Sequence, residues 1–478
     1  MRFIKDDSTL GGSHTRAAHF IFVVNYLLRA TATITAQMQS NAPAILIRGG
    51  RVIDPSRNFD ARADVLINGS RVEHISTTPI AHSGAAVIDA DGCLVCPGLI
   101  DPHVHLREPG GEHKETIRTG AQAAIAGGFS SVCCMPNTTP ALDLPSLVDF
   151  VRLKAKEAGL ARVFVAAAGT VGRAGESLSP IGAMALAGAV AFTDDGDGIA
   201  NSAVMRRVLL TCKAAGRAWM QHCQDAALTG DASMNAGAIA SKLGLTGWPA
   251  VAEEIMLERD VRLNRSIGCR YHAQHLSSGG SVEIIRRAKS EGQPVSGEAS
   301  PHHLLLTDDA CDGWNTMAKV NPPLRRPEDI ERLRRAVADG TIEVLATDHA
   351  PHTASEKAKD FSAAPFGCIG LESALPMYAK ALIETGLMKW PDVIERMTVG
   401  PAKLLGLFEQ GFGRLHEGGI ADVSVIDIGA KVTIDATTFR GMSRNCPFNG
   451  MQGTGRARAV IVNGKLFDLT RANWFEVS

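Results

Sequence analysis

Histidine and aspartate recur along this chain in a pattern suited to holding a divalent cation. Asp101-Pro102-His103-Val104-His105 puts two imidazoles at i and i+2, so on an extended segment both face one way. Asp194 and Asp195, His222, His275 and Asp348 follow, each just after a short apolar run. Nitrogen and oxygen donors without thiolate suit Zn²⁺ ahead of Mn²⁺, Co²⁺ or Fe²⁺. Any one of the 15 His would ordinarily be a surface or hydrogen-bonded residue. The weight lies in the coincidence of several at strand ends. His14, His19, His74, His82, His113 and His416 read as structural, and His272 as packed deeper in its strand. His302 and His303 read as partners that steady a ligand. His349 should point away from its neighbour Asp348.

The elements that must gather these residues alternate between strand and helix over residues 97–411. Apolar strand candidates lie at 95–100, 130–135, 162–168, 189–193, 217–221, 269–274, 293–298 and 342–347, with helix-like segments between them. Eight β-then-α units predict an α/β fold, a (β/α)₈ TIM-type barrel with its chemistry at the C-terminal strand ends. An open doubly wound sheet is the competing architecture. No Gly-x-Gly-x-x-Gly follows the first strand, so a dinucleotide site is unsupported. Residues 41–96 and 412–478 are β-rich, with Gly49-Gly50, Asn68-Gly69 and Asn463-Gly464 as turn signals. They predict a small β-sandwich domain built from both chain ends. Residues 352–366 are polar and helix-poor, and read as a loop or lid.

Composition narrows the function classes. Lys+Arg of 49 against Asp+Glu of 50 gives a net charge of −1, so nothing pulls the chain toward nucleic acid or an anionic membrane. No apolar run reaches the roughly 18–20 residues that span a bilayer. Ten scattered Cys, mostly inside apolar runs, read as buried free thiols of a reducing compartment, hence a cytoplasmic protein. Cys93-x-x-Cys96 lacks a second pair at zinc-site spacing. Residues 1–40 read as an extension, disordered or from a misassigned start; Phe20–Leu28 only faintly imitates a signal peptide.

Ile100-Asp101-Pro102-His103-Val104-His105-Leu106-Arg107-Glu108-Pro109-Gly110 resembles the signature of the amidohydrolase superfamily, and its Leu-Arg-Glu-Pro-Gly end resembles the long dihydroorotase family. Further segments agree: Met135–Thr138, Phe192–Gly196, His275–Ser278, Pro301–Leu304, Val320–Arg325, Ala346–His352 and Phe366–Glu372. The resemblance runs from about residue 44 to the C-terminus.

The resemblance implies a zinc enzyme that reversibly hydrolyses L-dihydroorotate to N-carbamoyl-L-aspartate in de novo pyrimidine biosynthesis. It implies one or two zinc ions. His103 and His105 would hold the first with Asp348, and Asp195 would bridge to a second held by His222 and His275. Many relatives carry a carboxylated lysine where this chain has aspartate, and Asp194 is the near-equal candidate. Asp348 would also be the catalytic base and then acid. The substrate carboxylate would meet Arg107, Asn137 and His352, and the ring would meet Asn321 and the Phe366–Gly367 backbone. A homodimer and an association with aspartate carbamoyltransferase stay open. Rival readings are a hydantoinase, dihydropyrimidinase or allantoinase, acting on rings without the carboxylate, and a non-catalytic scaffold for that transferase.

Overall fold

The structure is a computed structural model describing residues 43–474; the extension read at residues 1–40 lies outside the described residues. Eight strands pair in chain order, all in parallel: Leu99–Val104, Phe129–Cys134, Arg162–Ala167, Ala191–Phe192, Ala218–Gln221, Tyr271–Ala273, Val295–Ala299 and Val344–Leu345. The first meets the stretch after the last where His105 N–H donates to the His349 carbonyl at 2.8 Å, which brings the sheet round into a barrel. These strands carry little alternation because helices cover the outside; all six residues of Phe129–Cys134 are buried.

The covering helices follow from local sequence. Pro327–Asp339 has proline in its first turn, acidic Glu328 and Asp329 beside the positive helix end, and Gly340 closing it at φ 83°. Ile330, Leu333, Ala336 and Val337 fall on one stripe and are buried.

A second, mostly antiparallel sheet of eight strands comes from both chain ends. Cys93–Pro97 lies between Ile45–Asp54 and Val423–Thr433, so early and late segments interleave. Val52, Val65, Val95, Val423 and Val425 belong to a core separate from the barrel's. Asn463-Gly464 makes a two-residue hairpin with both φ values positive, 52° and 79°.

Two local expectations are corrected. Gly49-Gly50 is no turn: it is a bulge inside the single strand Ile45–Asp54, with Gly49 at φ 71°. A bulge glycine and a turn glycine need the same left-handed backbone, so their sequence signals coincide. The apolar run at 95–100 is two strands, Cys93–Pro97 in the terminal sheet and Leu99–Val104 in the barrel. Gly98 joins them where a Cβ would stand 2.2 Å from Ser130 Oγ. The barrel strand thus starts later and carries His103 within it, rather than just beyond its end.

Candidate active site

The first barrel strand sets His103 and His105 on one face, as period two requires. Later strand ends add the rest. His103 Nε2 lies 3.3 Å from Asp195 Oδ1 and 3.5 Å from Asp348 Oδ1. His105 Nε2 lies 3.0 Å from Asp348 Oδ1 and 3.5 Å from Asp195 Oδ2. On the other side His275 Nε2 and His222 Nδ1 stand 3.7 and 3.9 Å from Asp195 Oδ1, and 2.8 Å from each other. All six residues read as metal ligands therefore converge, with Asp195 between the two histidine pairs. All six are buried.

The donor set fits a divalent cation. Bond lengths near 2.1 Å around a tetrahedral ion put neighbouring donors roughly 3.4 Å apart, which is the spacing found here. His103 Nε2 and Asp195 Oδ1 are buried without a hydrogen-bond partner, an arrangement a protein tolerates where something else satisfies them. Five of the six donors fall into two overlapping triads, His103–Asp195–His275 and His103–His105–Asp348, and His222 stands beside the first, against His275.

Asp194 does not join them. Its carboxylate accepts from Gly169 N–H, Thr170 N–H and Thr170 Oγ at 2.9, 3.0 and 2.5 Å. It ties the fourth strand end to the third.

A residue that sequence reasoning missed stands behind His103. Glu298 Oε1 lies 2.5 Å from His103 Nδ1 and accepts from His275 N–H at 3.0 Å, while Oε2 lies 3.0 Å from His272 Nε2. Ser296 Oγ lies 2.7 Å from His272 Nδ1 and 3.4 Å from the Tyr271 carbonyl, to which it donates. Burial alone would lift the Glu298 carboxyl, but His103 and His272 hold it well below the usual range. The ionised carboxylate accepts from His103 Nδ1–H and so turns Nε2 toward the site. The available signal was a glutamate inside the apolar strand Val295–Ala299. Asn137 does the same for His105, its Oδ1 2.8 Å from Nδ1. His272 is packed as expected, and His349 turns away, its Nδ1 accepting from Gly370 and Leu371 N–H at 3.2 and 3.4 Å. His303 Nε2 lies 2.8 Å from the Pro322 carbonyl, so it steadies a loop rather than a ligand.

The cluster floors an open-mouthed cavity of about 170 Å³, and Arg107, Asn137, Asn321, His352, Phe366 and Gly367 all line it. Arg107 Nε donates to the Pro351 carbonyl at 3.2 Å and its Nη2 lies 3.3 Å from His352 Nε2. Among the described residues the guanidinium forms no ion pair, and burial lowers its pKa only to about 10, so it stays cationic. Burial and Arg107 together keep His352 neutral, its pKa down to about 2. Asn321 leaves its buried Oδ1 unpartnered. Gly367 is largely engaged within the protein: its N–H donates to the Lys319 carbonyl at 2.9 Å and its carbonyl accepts from Asn445 Nδ2 at 3.1 Å. The Phe366 carbonyl takes His352 Nε2 at 2.8 Å. These two residues thus offer the cavity the remaining lone pairs of their carbonyls, acceptors for N–H donors.

Arg107, His275 and Asp348 hold φ values of 61°, 29° and 48°. A left-handed backbone costs a non-glycine residue on the order of 1–3 kcal/mol when the surroundings must enforce it. Here it turns side chains inward at the barrel mouth.

The sequence from 92 to 281 matches the family model described as "Dihydro-orotase-like". The dihydroorotase of Syntrophotalea carbinolica is 46% identical over 422 residues, covering 88% of this chain and 98% of that protein. The dihydroorotase of Geotalea daltonii is 45% identical, covering 88% and 98%. Among solved structures, the L-hydantoinase of Arthrobacter aurescens superposes with a TM-score of 0.79 at 26% identity, covering 89% of this chain and 96% of its own. The dihydropyrimidinase of Brevibacillus agri, at 23% identity and a TM-score of 0.76 over 89% and 95%, shares the fold.

Proposed function

This chain belongs to the dihydroorotase family of cyclic amide hydrolases, and from that premise we propose that it is a zinc-dependent enzyme interconverting L-dihydroorotate and N-carbamoyl-L-aspartate in pyrimidine synthesis. One observation carries the choice of substrate. Arg107, a half-buried cation without a carboxylate partner among the described residues, lines the cavity beside the histidine–aspartate cluster. A planar guanidinium is suited to receive a carboxylate with two parallel hydrogen bonds. Dihydroorotate brings one; hydantoin and dihydrouracil rings do not. The ten buried free thiols favour a reducing cytoplasm as its setting.

In this reading His103, His105, His222, His275, Asp195 and Asp348 hold one or two zinc ions. Zinc bound there supplies Lewis-acid polarisation of the ring carbonyl and makes the attacking water acidic. The protein's own part is to position and to move a proton. Arg107, with Asn137 and His352, fixes the substrate carboxylate and so orients the ring over the cluster. Asn321 and the carbonyls of Phe366 and Gly367 receive the ring N–H groups. Asp348 accepts the proton of the attacking water and returns it to the ring nitrogen as the C–N bond breaks, a role worth about 10²–10⁴-fold. Its position, 3.0 Å from His105 Nε2 at the cavity floor, supports that task.

The scaffold reading is weaker, since it is lost ligands that mark such chains and every ligand position here is filled. Comparing dihydroorotate with dihydrouracil as substrates tests the assignment. Turnover of dihydroorotate with little or none of dihydrouracil supports it. The reverse preference makes the protein a dihydropyrimidinase.

A further inference from the structure

The loop that closes one side of the cavity is held by two buried ammonium groups. Lys319 is 2% exposed and Lys357 is 1% exposed, and among the described residues neither forms an ion pair. Main-chain carbonyls surround them instead. Lys319 Nζ donates to Phe361, Ser362 and Ala364 at 2.6, 3.0 and 2.7 Å. Lys357 Nζ donates to Thr316, Lys319 and Pro365 at 2.9, 3.3 and 2.9 Å. The two are reciprocal: Lys319 lies before the loop and grips its far half, while Lys357 lies within the loop and grips the segment carrying Lys319.

Burying an ammonium is expensive unless every donor is met, and each of these finds three acceptors. Such a bond is stronger than one between neutral groups because the donor is charged. The bonds converge on the cavity wall. The Lys319 carbonyl also accepts from Gly367 N–H, and Lys319 Nζ stands 4.4 Å from the Phe366 ring centroid. Phe366 meets Trp248 edge-on at 6.1 Å between centroids, so its ring is held from two sides. The Phe366 carbonyl in turn holds His352 Nε2.

We propose that Lys319 and Lys357 are positioning residues for substrate binding: they lock residues 353–367 onto residues 316–319, so Phe366, Gly367 and His352 stand ready in the free enzyme and the loop is a fixed wall rather than a lid. This rests on the reading of the cavity as the substrate site. The lysines touch the wall and no cluster residue, so their loss weakens substrate binding and leaves the chemical step intact.

Amide hydrogen exchange on the metal-loaded protein, with and without N-carbamoyl-L-aspartate, tests the wall itself. The Gly367 and Ala364 amides should be protected in the free protein and gain little on addition of the ligand. Exchange as fast as an open loop, with protection arising only in the ligand's presence, overturns the proposal even if no variant folds. Lys357→Met and Lys319→Gln then test the lysines. Each should deprotect the loop amides locally, with barrel amides and metal content unchanged. KM should rise about tenfold or more while kcat stays within about twofold, the pattern of lost uniform binding. A fall in kcat at unchanged KM, or unchanged loop exchange in both variants, overturns the role. If the protein proves inactive on dihydroorotate, the exchange result in free protein still stands or falls by itself.

Discussion

Asp194 and Asp195 are adjacent in the chain and serve opposite ends of the same strand boundary. Asp194 is spent on Gly169 and Thr170, at 2.9 Å and 3.0 Å from their N–H groups, while Asp195 faces the histidines with Oδ1 unpartnered. Asp195→Asn should leave the fold in place and abolish stable metal binding at the shared position. Asp194→Asn should keep metal but lose about 1–3 kcal/mol of stability, since the third-strand donors lose their ionised acceptor. Metal analysis beside chemical denaturation of both variants distinguishes the two roles, and an exchange of phenotypes would reverse the assignment.

Glu298 holds the orientation of His103 from 2.5 Å away. Glu298→Gln removes the negative charge that fixes the imidazole tautomer. Zinc affinity, measured by competition with a chromophoric chelator, should fall about 10–100-fold. Affinity equal to wild type would mean that the tautomer is set by other groups.

Arg107→Met should raise KM for dihydroorotate by up to about 100-fold, the loss of a charge-assisted pair. The discrimination against dihydrouracil should shrink in the same variant, because the removed cation answers to the carboxylate alone. An unchanged substrate ratio would place the carboxylate elsewhere.

Glu372 carries a pH-dependent contribution to stability. Burial, helped by the neighbouring Glu115, pushes its carboxyl up to about 7, against the pull of the Arg440 and Gly441 N–H groups. The unfolded chain ionises at the ordinary glutamate value near 4.3, well below that. The folded state therefore binds the extra proton between these values, and the stability held at low pH is lost as pH rises toward about 7. Glu372→Gln has no such titration. Its stability relative to wild type should improve from pH 5 to pH 8 in urea denaturation; a pH-independent difference would show that the carboxyl is not raised.

Much of the site was legible because period and position both spoke. His103 and His105 share a face by strand geometry, and His222, His275 and Asp348 each close an apolar run that had to be a barrel strand. The helices were equally plain: the sequence pattern predicts helices over Leu144–Ala158 and Ala250–Asn264, and the structure has them at Pro145–Ala158 and Val251–Asn264. What stayed hidden depends on partners far away in sequence. The choice between Asp194 and Asp195 turns on Thr170, in a loop with no motif of its own. Glu298 was visible only as a charge among apolar neighbours, and its partner His272 read as mere packing. Lys319 and Lys357 have main-chain acceptors, which leave no mark on side-chain identity. Gly49 shows the converse, one conformational demand arising in two kinds of structure.

The central claim is that the converging imidazoles and carboxylates act on a carboxylate-bearing cyclic amide through bound metal. The most direct test measures metal content and ring closure of N-carbamoyl-L-aspartate on one preparation, before chelation, after it and after zinc is restored. Ring opening creates a second carboxylate and releases a proton, so closure should prevail in mild acid and opening in mild alkali. Bound zinc is expected, with closure that disappears with the metal and returns with it, and a direction that reverses with pH. Undiminished closure in metal-free protein, or no closure by the zinc-loaded protein, would contradict it.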